Sequence, residues 1–290
     1  MPTYNFKEEA EVYVVSGGTQ YRIHVADISF SQTFSEESHP VNTIHSPNDL
    51  FEASVINKAN AANFSFTVPA IVESSYSILE TLLINASTFD LYIKTPADVY
   101  RLRQSVMTNG SFVIERSRPL RLEITGEASQ LYRAVTGFNV TASAITAKSY
   151  TIPKIDVSVA GSALDNITRV TMELQNDLSW TPHTTVNGAF SATTMYPSGF
   201  TISKKILAGS ITQYLTSDNK STAQTFNSGT AISIKAGNGL SGSAFRGFSF
   251  GPATCAFTNR IATGNIFVQN YDWRLTQNTN LSSILNYETD

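Results

Sequence analysis

Apolar and polar residues alternate with a period of two through most of the chain. Val12-Tyr-Val-Val15 is β-prone, Gly17 and Gly18 supply a turn, and Tyr21, Ile23 and Val25 alternate with polar partners before Ile28-Ser-Phe-Ser31. Residues 11–31 therefore predict a hairpin running into a further strand. From 36 to 62 the alternation dissolves into Ser, His, Pro, Asn and Ala, which predicts a long loop. Loops of that length in a compact domain usually carry function or are ordered by a partner. Strand character returns at 64–68. Ile78, Leu79, Leu82 and Leu83 then fall at helical spacing, predicting a helix over 74–84 with Ser74 or Ser75 as its cap. Strands follow at 89–95, 110–116 and 120–126, with an alternating run over 130–141. The polar, proline-containing stretch 146–154 marks a junction. Beyond it the pattern predicts strands at 155–165 and 168–180, a loop over 181–198, a strand at 200–205 and a short helix at 208–216. Strands at 231–235, 254–260 and 265–276 follow. The polar tail from 277 carries Leu281, Ile284 and Leu285, enough for one helical turn docked on a neighbour.

The two sides of the junction resemble each other. Val14-Val-Ser-Gly-Gly18 lines up with Val157-Ser-Val-Ala-Gly161, and Phe30 and Phe34 with Met172 and Asn176. Pro40-Val-Asn-Thr-Ile44 answers to Pro182-His-Thr-Thr-Val186, and Asn63-Phe-Ser-Phe-Thr-Val68 to Gly199-Phe-Thr-Ile-Ser-Lys204. Leu91-Tyr-Ile-Lys94 matches Ile232-Ser-Ile-Lys235, and Phe112-Val-Ile-Glu-Arg116 matches Phe257-Thr-Asn-Arg-Ile261. Matches in this order, at a near-constant offset of a little under half the chain, indicate tandem copies of one β-rich unit. The units are 1–148 and 149–290, and 290 residues are enough for two domains with a core each. The expected fold class is mainly β: two β-sandwich or half-barrel domains, each with one short α-helix.

Composition narrows the function. Only 15% of residues are charged, against the usual quarter, with Ser, Thr and Asn in their place. A surface this poor in charge suits a subunit covered by neighbours. The net charge of -3 argues against ordinary nucleic-acid binding, which needs clustered Lys and Arg. It does not argue against a surface that nucleic acid slides past. The start of the chain shows no secretory pattern, and no apolar run is long enough for a membrane helix. Sequons such as those at Asn63, Asn139 and Asn219 reflect composition. A single cysteine, Cys255, excludes an intrachain disulfide framework, and is expected to be a small buried side chain. The histidines (His24, His39, His45, His183) lack ligand spacing, so neither a metal nor another cofactor is expected. Gly237-Asn-Gly-Leu-Ser-Gly242 fits G-x-G-x-x-G but opens no helix, and reads as a Gly/Ser-rich loop. With no nucleophile elbow and no phosphate loop, the expected class is not an enzyme.

Four stretches resemble the major tail tube proteins of long-tailed bacteriophages, in the form that carries two fused tube domains. They are Asp27-Ile-Ser-Phe-Ser-Gln32, Asn60-Ala-Ala-Asn-Phe-Ser-Phe-Thr67, Asn176-Asp-Leu-Ser-Trp-Thr-Pro182 and Ala208-Gly-Ser-Ile-Thr-Gln-Tyr-Leu215. Together they cover about a tenth of the chain directly, and the order of elements extends the likeness over nearly all of it. The chain departs from some relatives in showing no C-terminal immunoglobulin-like decoration domain.

The resemblance implies a virion component, made in the host cytoplasm, whose main partner is itself. Single-domain relatives form hexameric rings with a continuous inner barrel, so a two-domain chain would need three copies. Closing the barrel pairs edges that would otherwise aggregate, and stacking the rings makes a filament. Tail terminator, distal tail and tape-measure proteins would be further partners, and DNA would pass through the lumen without specific binding. The loops would then hold the contacts between rings and subunits: Glu36, Glu37, His39, His45, Asn48, Phe51, Val55 and Ile56 in the first, His183 and Tyr196 in the second. Phe51, Val55 and Ile56 are the candidate apolar anchors. Glu115, Glu123, Glu127 and Asp272 are candidate lumen acids, since like charge repels phosphates; alternation defines two faces without labelling them. Other readings are a distal tail or baseplate hub component of the same fold, and a β-sandwich glycan-binding module. An outer-membrane barrel fits the alternation but not the unequal strand spacing.

Overall fold

The chain as seen in a computed structural model is mainly β, and the structure describes residues 7–38, 54–69, 77–142, 152–181, 195–217, 230–237, 245–261, 266–275 and 286–289. A 3-10 turn at Lys7–Glu9 precedes β1 (Glu11–Ser16), β2 (Thr19–Ile23), β3 (Asp27–Ser31), β4 (Phe34–Ser38), β5 (Ser54–Ala59) and β6 (Ala62–Pro69). Then come α1 (Ser77–Asn85), β7 (Phe89–Lys94), β8 (Val99–Glu115) and β9 (Arg121–Tyr132). The second half holds β10 (Lys154–Val159), β11 (Ser162–Leu164), β12 (Ile167–Trp180) and β13 (Phe200–Tyr214). It ends with β14 (Thr230–Gly237), β15 (Phe245–Ile261), β16 (Phe267–Leu275) and β17 (Asn286–Thr289).

Both halves wind their strands in the same order. In the first, neighbours run β2-β1-β7-β8-β9-β6-β3, and in the second β11-β10-β14-β15-β16-β13-β12. The opening hairpins share even their turn. Gly17 and Gly18 have φ of 56° and 82°, Ala160 and Gly161 φ of 51° and 80°, the positive pair that a tight two-residue hairpin requires.

Pairing registers fix which residues correspond. Val14 faces Leu91, and Val157 faces Ile234. Phe112 lies opposite Leu122, which faces Val68, while Phe257 lies opposite Tyr271, which faces Ile211. Phe66 and Ile28 are opposed in one half, Gly209 and Met172 in the other. The sequence alignments of Val14 with Val157 and of Phe112 with Phe257 agree with this. Three others need correcting. Met172 corresponds to Ile28 and not Phe30, Asn176 to Gln32 and not Phe34, and Ile234, not Ile232, to Leu91. The strand at 62–69 corresponds to the middle of β13, well beyond the 199–204 of the sequence alignment.

The two windings join through β8. Its first part pairs with β7 and its last part, Asn109–Glu115, pairs on the same edge with β12, while β9 occupies the other edge. An antiparallel run of eight strands results, β15-β16-β13-β12-β8-β9-β6-β3. Its apolar face, with Phe64, Phe66, Ile124, Phe112, Met172, Leu207 and Trp273, forms one core with β1, β7, β10, β14 and α1. Phe64 meets Phe89 edge-on at 6.0 Å, Phe250 meets Trp273 at 4.6 Å, and Phe112 meets Phe248 at 4.9 Å where the halves abut.

Two elements differ from the sequence reading. Residues 208–216 are not helical, because β13 continues through Tyr214 between β12 and β16. Leu207, Ile211 and Gln213 are buried on alternate positions, and a Cβ on Gly209 would collide with the Thr171 carbonyl and the Trp273 indole. Among the described residues, the only α-helix is therefore α1, in the first half. The expected loop at 36–62 is partly strand as well: β4 and β5 pair into a separate two-stranded ribbon. Its tip, residues 39–53, lies outside the described residues, as do Ser74, Ser75, the 146–151 stretch and the 277–285 tail.

Candidate functional site

Alternation along the eight-strand run places a second set of side chains on its other face. From the β3 side these include Ser29, Asn63, Ser65, Glu127, Thr125, Glu123 and Arg121, then Asn109, Ser111 and Glu115. Across the junction come Arg169, Thr171, Glu173 and Gln175, then Lys204, Ser210, Thr212, Asn270, Asp272 and Arg274. These are polar or charged and at least partly exposed, and Val113, Ile206 and Ala208 interrupt them on the same face. The four acids chosen from sequence, Glu115, Glu123, Glu127 and Asp272, share this one face.

Several groups on the face bond to one another, while Asn109 Oδ1 has no hydrogen-bond partner among the described residues. Glu173 Oε1 accepts hydrogen bonds from Asn109 Nδ2 at 2.7 Å and Gln175 Nε2 at 2.8 Å. Glu115 pairs with Arg169 Nε at 3.2 Å and Arg118 Nη1 at 2.9 Å. Glu127 accepts the Trp180 indole N–H at 2.7 Å. Hydroxyls pair across strands, Ser29 with Ser65 at 2.9 Å and Thr171 with Ser210 at 2.8 Å, and Thr212 Oγ1 donates to Asn270 Oδ1 at 2.9 Å. A groove of about 390 Å³ near the β3 side is walled by Ser29, Asn63, Ser65, Thr108, Thr125 and Glu127 with the edges of Phe30 and Phe64. Among the described residues no three His, Cys, Asp or Glu side chains converge as metal ligands. The chemistry offered is that of a broad polar surface on which Glu115, Glu123, Glu127, Glu173 and Asp272 stand among Arg121, Arg169, Lys204 and Arg274.

The domain junction under this face is built from polar groups that sequence reading did not single out. Asn176, 3% exposed, donates Nδ2 to Leu83 O at 2.8 Å and Met107 O at 3.0 Å. Lys205 Nζ donates to Ile84 O at 2.7 Å, and burial lowers its pKa from the ordinary value. Side chains from the second half thus cap the C-terminal carbonyls of α1, where the helix dipole favours positive charge.

Of the expected contact residues, Glu36 is exposed on β4, and Tyr196 packs edge-on against Phe34 at 6.4 Å at the ribbon's base. The segment carrying Tyr196 is tied there by Ala59 N donating to Met195 O at 2.8 Å and by a short bond from the Ser129 hydroxyl to Pro197 O. Glu37, Val55 and Ile56 lie on the ribbon by backbone, in register as Glu36↔Ile56 and Glu37↔Val55, and their side chains lie outside the described residues. His39, His45, Asn48, Phe51 and His183 are also outside them. Cys255 sits in β15 opposite Trp273, its side chain likewise undescribed. Trp273 itself is fully enclosed at 2% exposure.

A polar sheet face over a duplicated β topology asks for a family with that architecture. The model of the Bacteriophage Baseplate Tube Protein Family matches residues 2–289. The chain belongs to that family. Membership makes it a bacteriophage tube component of the virion and a structural protein, a coarser assignment than the long-tailed-phage tail tube that the sequence resembles. No curated protein matches the chain.

Proposed function

We propose that the chain is the repeating subunit of a phage tube, each ring holding three copies and each copy supplying two tube domains, 1–148 and 149–290. The observation that carries this reading is the eight-strand run, in which two like-wound units join edge to edge with one face mostly polar. At about 4.8 Å between strands, three copies of that run close a tilted barrel on the order of 40 Å across, wider than a DNA duplex. Six sectors of the same winding then surround the channel. Glu115, Glu123, Glu127 and Asp272 line it, with Glu173 and the Ser, Thr and Asn residues between them. Hydroxyl and amide groups already bonded to one another offer DNA few free donors, and the carboxylates repel its phosphates, so DNA passes without specific binding on its way into the host.

Stacking is assigned to the ribbon of β4 and β5, which leaves the main sheet and carries Glu36, Glu37, Val55 and Ile56. The residues between β4 and β5 include His39, His45, Asn48 and Phe51; Tyr196 stands at the ribbon's base, and His183 belongs to the same 181–198 stretch of sequence. Tail terminator, distal tail and tape-measure proteins are the further partners. The family description favours a tube segment at the baseplate over a full-length siphophage tail tube; the two differ in how many rings stack. Negative-stain images and sedimentation of the purified chain test the reading. Tubes with a regular axial repeat are expected, and removal of residues 40–52 is expected to leave rings that no longer pellet. Unaltered tubes from that deletion would remove the ribbon from the stacking contact. Closed rings of the intact chain that never stack would make it a distal hub.

A further inference from the structure

We infer that the ladder joining β8 to β12 inside the chain is repeated between chains, with β3 of one copy pairing along the last part of β15 of the next. The inference rests on the ring reading above and adds its partner surface and register.

In the first half, the last part of β8 pairs β12 on the edge that its first part shares with β7. In the second half, β15 holds the place of β8. It pairs β14 as far as Ala253, and β16 lies on its opposite edge from Ala253 to Ile261. Among the described residues, the edge of Thr254–Ile261 on the β14 side is therefore unpaired. At the other end of the run, β3 holds the place of β12 and, among the described residues, its one strand partner is β6. The chain thus ends its eight-strand run in the two halves of a junction it already makes once internally. Open edges of this kind lead to uncontrolled pairing unless they are covered.

The register follows from the residue correspondences. Inside the chain Met172 faces Phe112, Leu174 faces Gly110 and Glu173 faces Ser111. Ile28 corresponds to Met172 and Phe257 to Phe112, so between chains Ile28 faces Phe257. Phe30 then faces Cys255, Ser29 faces Ala256 and Asp27 faces Thr258. A slip by one residue would turn Ser29 and Ser31 into the core, so the register is specified by the apolar face. Exposure agrees. Val170, Met172 and Leu174 are 0%, 3% and 4% exposed under β8, whereas Ile28 and Phe30 at the matching positions of β3 are only partly buried. They are the apolar positions that a neighbouring β15 would cover.

Cross-linking tests it. Ser29→Cys with Ala256→Cys, in a Cys255→Ser background, places two thiols directly opposite, within reach of a disulfide. Ser29→Cys with Thr258→Cys is the out-of-register control. Mild oxidation of assembled particles, taken from virions if the purified chain stays monomeric, should give covalent dimers and trimers for the first pair only. Bands beyond the trimer would keep the strand pairing and remove the three-copy ring, so the two readings fail separately. Linking by the control pair, or by neither pair in particles whose images show rings, would overturn the inference. If the cysteine variants do not fold, hydrogen exchange on the unaltered chain decides. Amide exchange over 27–31 and 254–261 should slow about tenfold or more on assembly, and unchanged exchange there would also overturn it.

Discussion

At the scale of single residues, the fold is held by positions that tolerate little change. Gly209 lies where the Thr171 carbonyl and the Trp273 ring fill the space of a side chain. Gly209→Val should destabilise by about 3 kcal/mol through overpacking of the core beside Trp273, read as a lowered urea midpoint; an unchanged midpoint would contradict this packing. Asn176→Leu removes both hydrogen bonds to Leu83 O and Met107 O, and should cost about 1–3 kcal/mol in the same measurement. Asp98 gives a pH-dependent case. Burial would raise its pKa, but hydrogen bonds from Arg133 and from the Val99 and Ala134 amides outweigh it and hold the carboxyl below its ordinary 3.8. A folded pKa below the unfolded one means the stabilisation is present above about pH 4 and is lost as pH falls through the folded value. Thermal melts of Asp98→Asn should therefore lie beneath the parent at pH 6 and approach it as the pH falls through the folded value of Asp98. A constant gap across that range would show that Asp98 is not the group involved.

At the scale of elements, legibility followed regularity. Strands β6, β7 and β12 alternate cleanly, and with β10 and the β-prone hairpin of β1 and β2 they were readable from sequence. The first part of β8 was not, because the chain bulges twice there. Gln104 takes a positive φ of 51°, its amide held by Asp90 Oδ1 at 2.9 Å, and the register with β9 shifts again between Met107 and Asn109. Each extra residue inverts the alternation, and the second breaks the constant offset between the halves. The strand at 200–214 was cut short because Ala208, Ile211 and Leu215 also fit a helical spacing. Only its placement between β12 and β16 decides for a strand. The four acids were found singly, but their common face was not legible, since it depends on which strands become neighbours. The same holds for Asn176 and Lys205, whose partners are carbonyls at the end of α1.

At the scale of the whole molecule, the polar face and the open edges make one account. If the face lines a channel, reversing its charge should make the channel hold DNA. Glu123→Lys with Asp272→Lys leaves the Glu127–Trp180 and Glu115–Arg169 contacts intact, and tubes of this variant should retain DNA on a filter at low salt and release it as salt rises. Retention equal to the unaltered tube would place those residues elsewhere. The central claim is that one chain supplies two sectors of a closed ring with its polar face inward. Cryo-electron microscopy of the baseplate tube at side-chain resolution tests that directly. The account predicts three chains per ring, with Glu115, Glu123, Glu127 and Asp272 facing the channel. Six chains per ring, or a channel lined by another face, would contradict it.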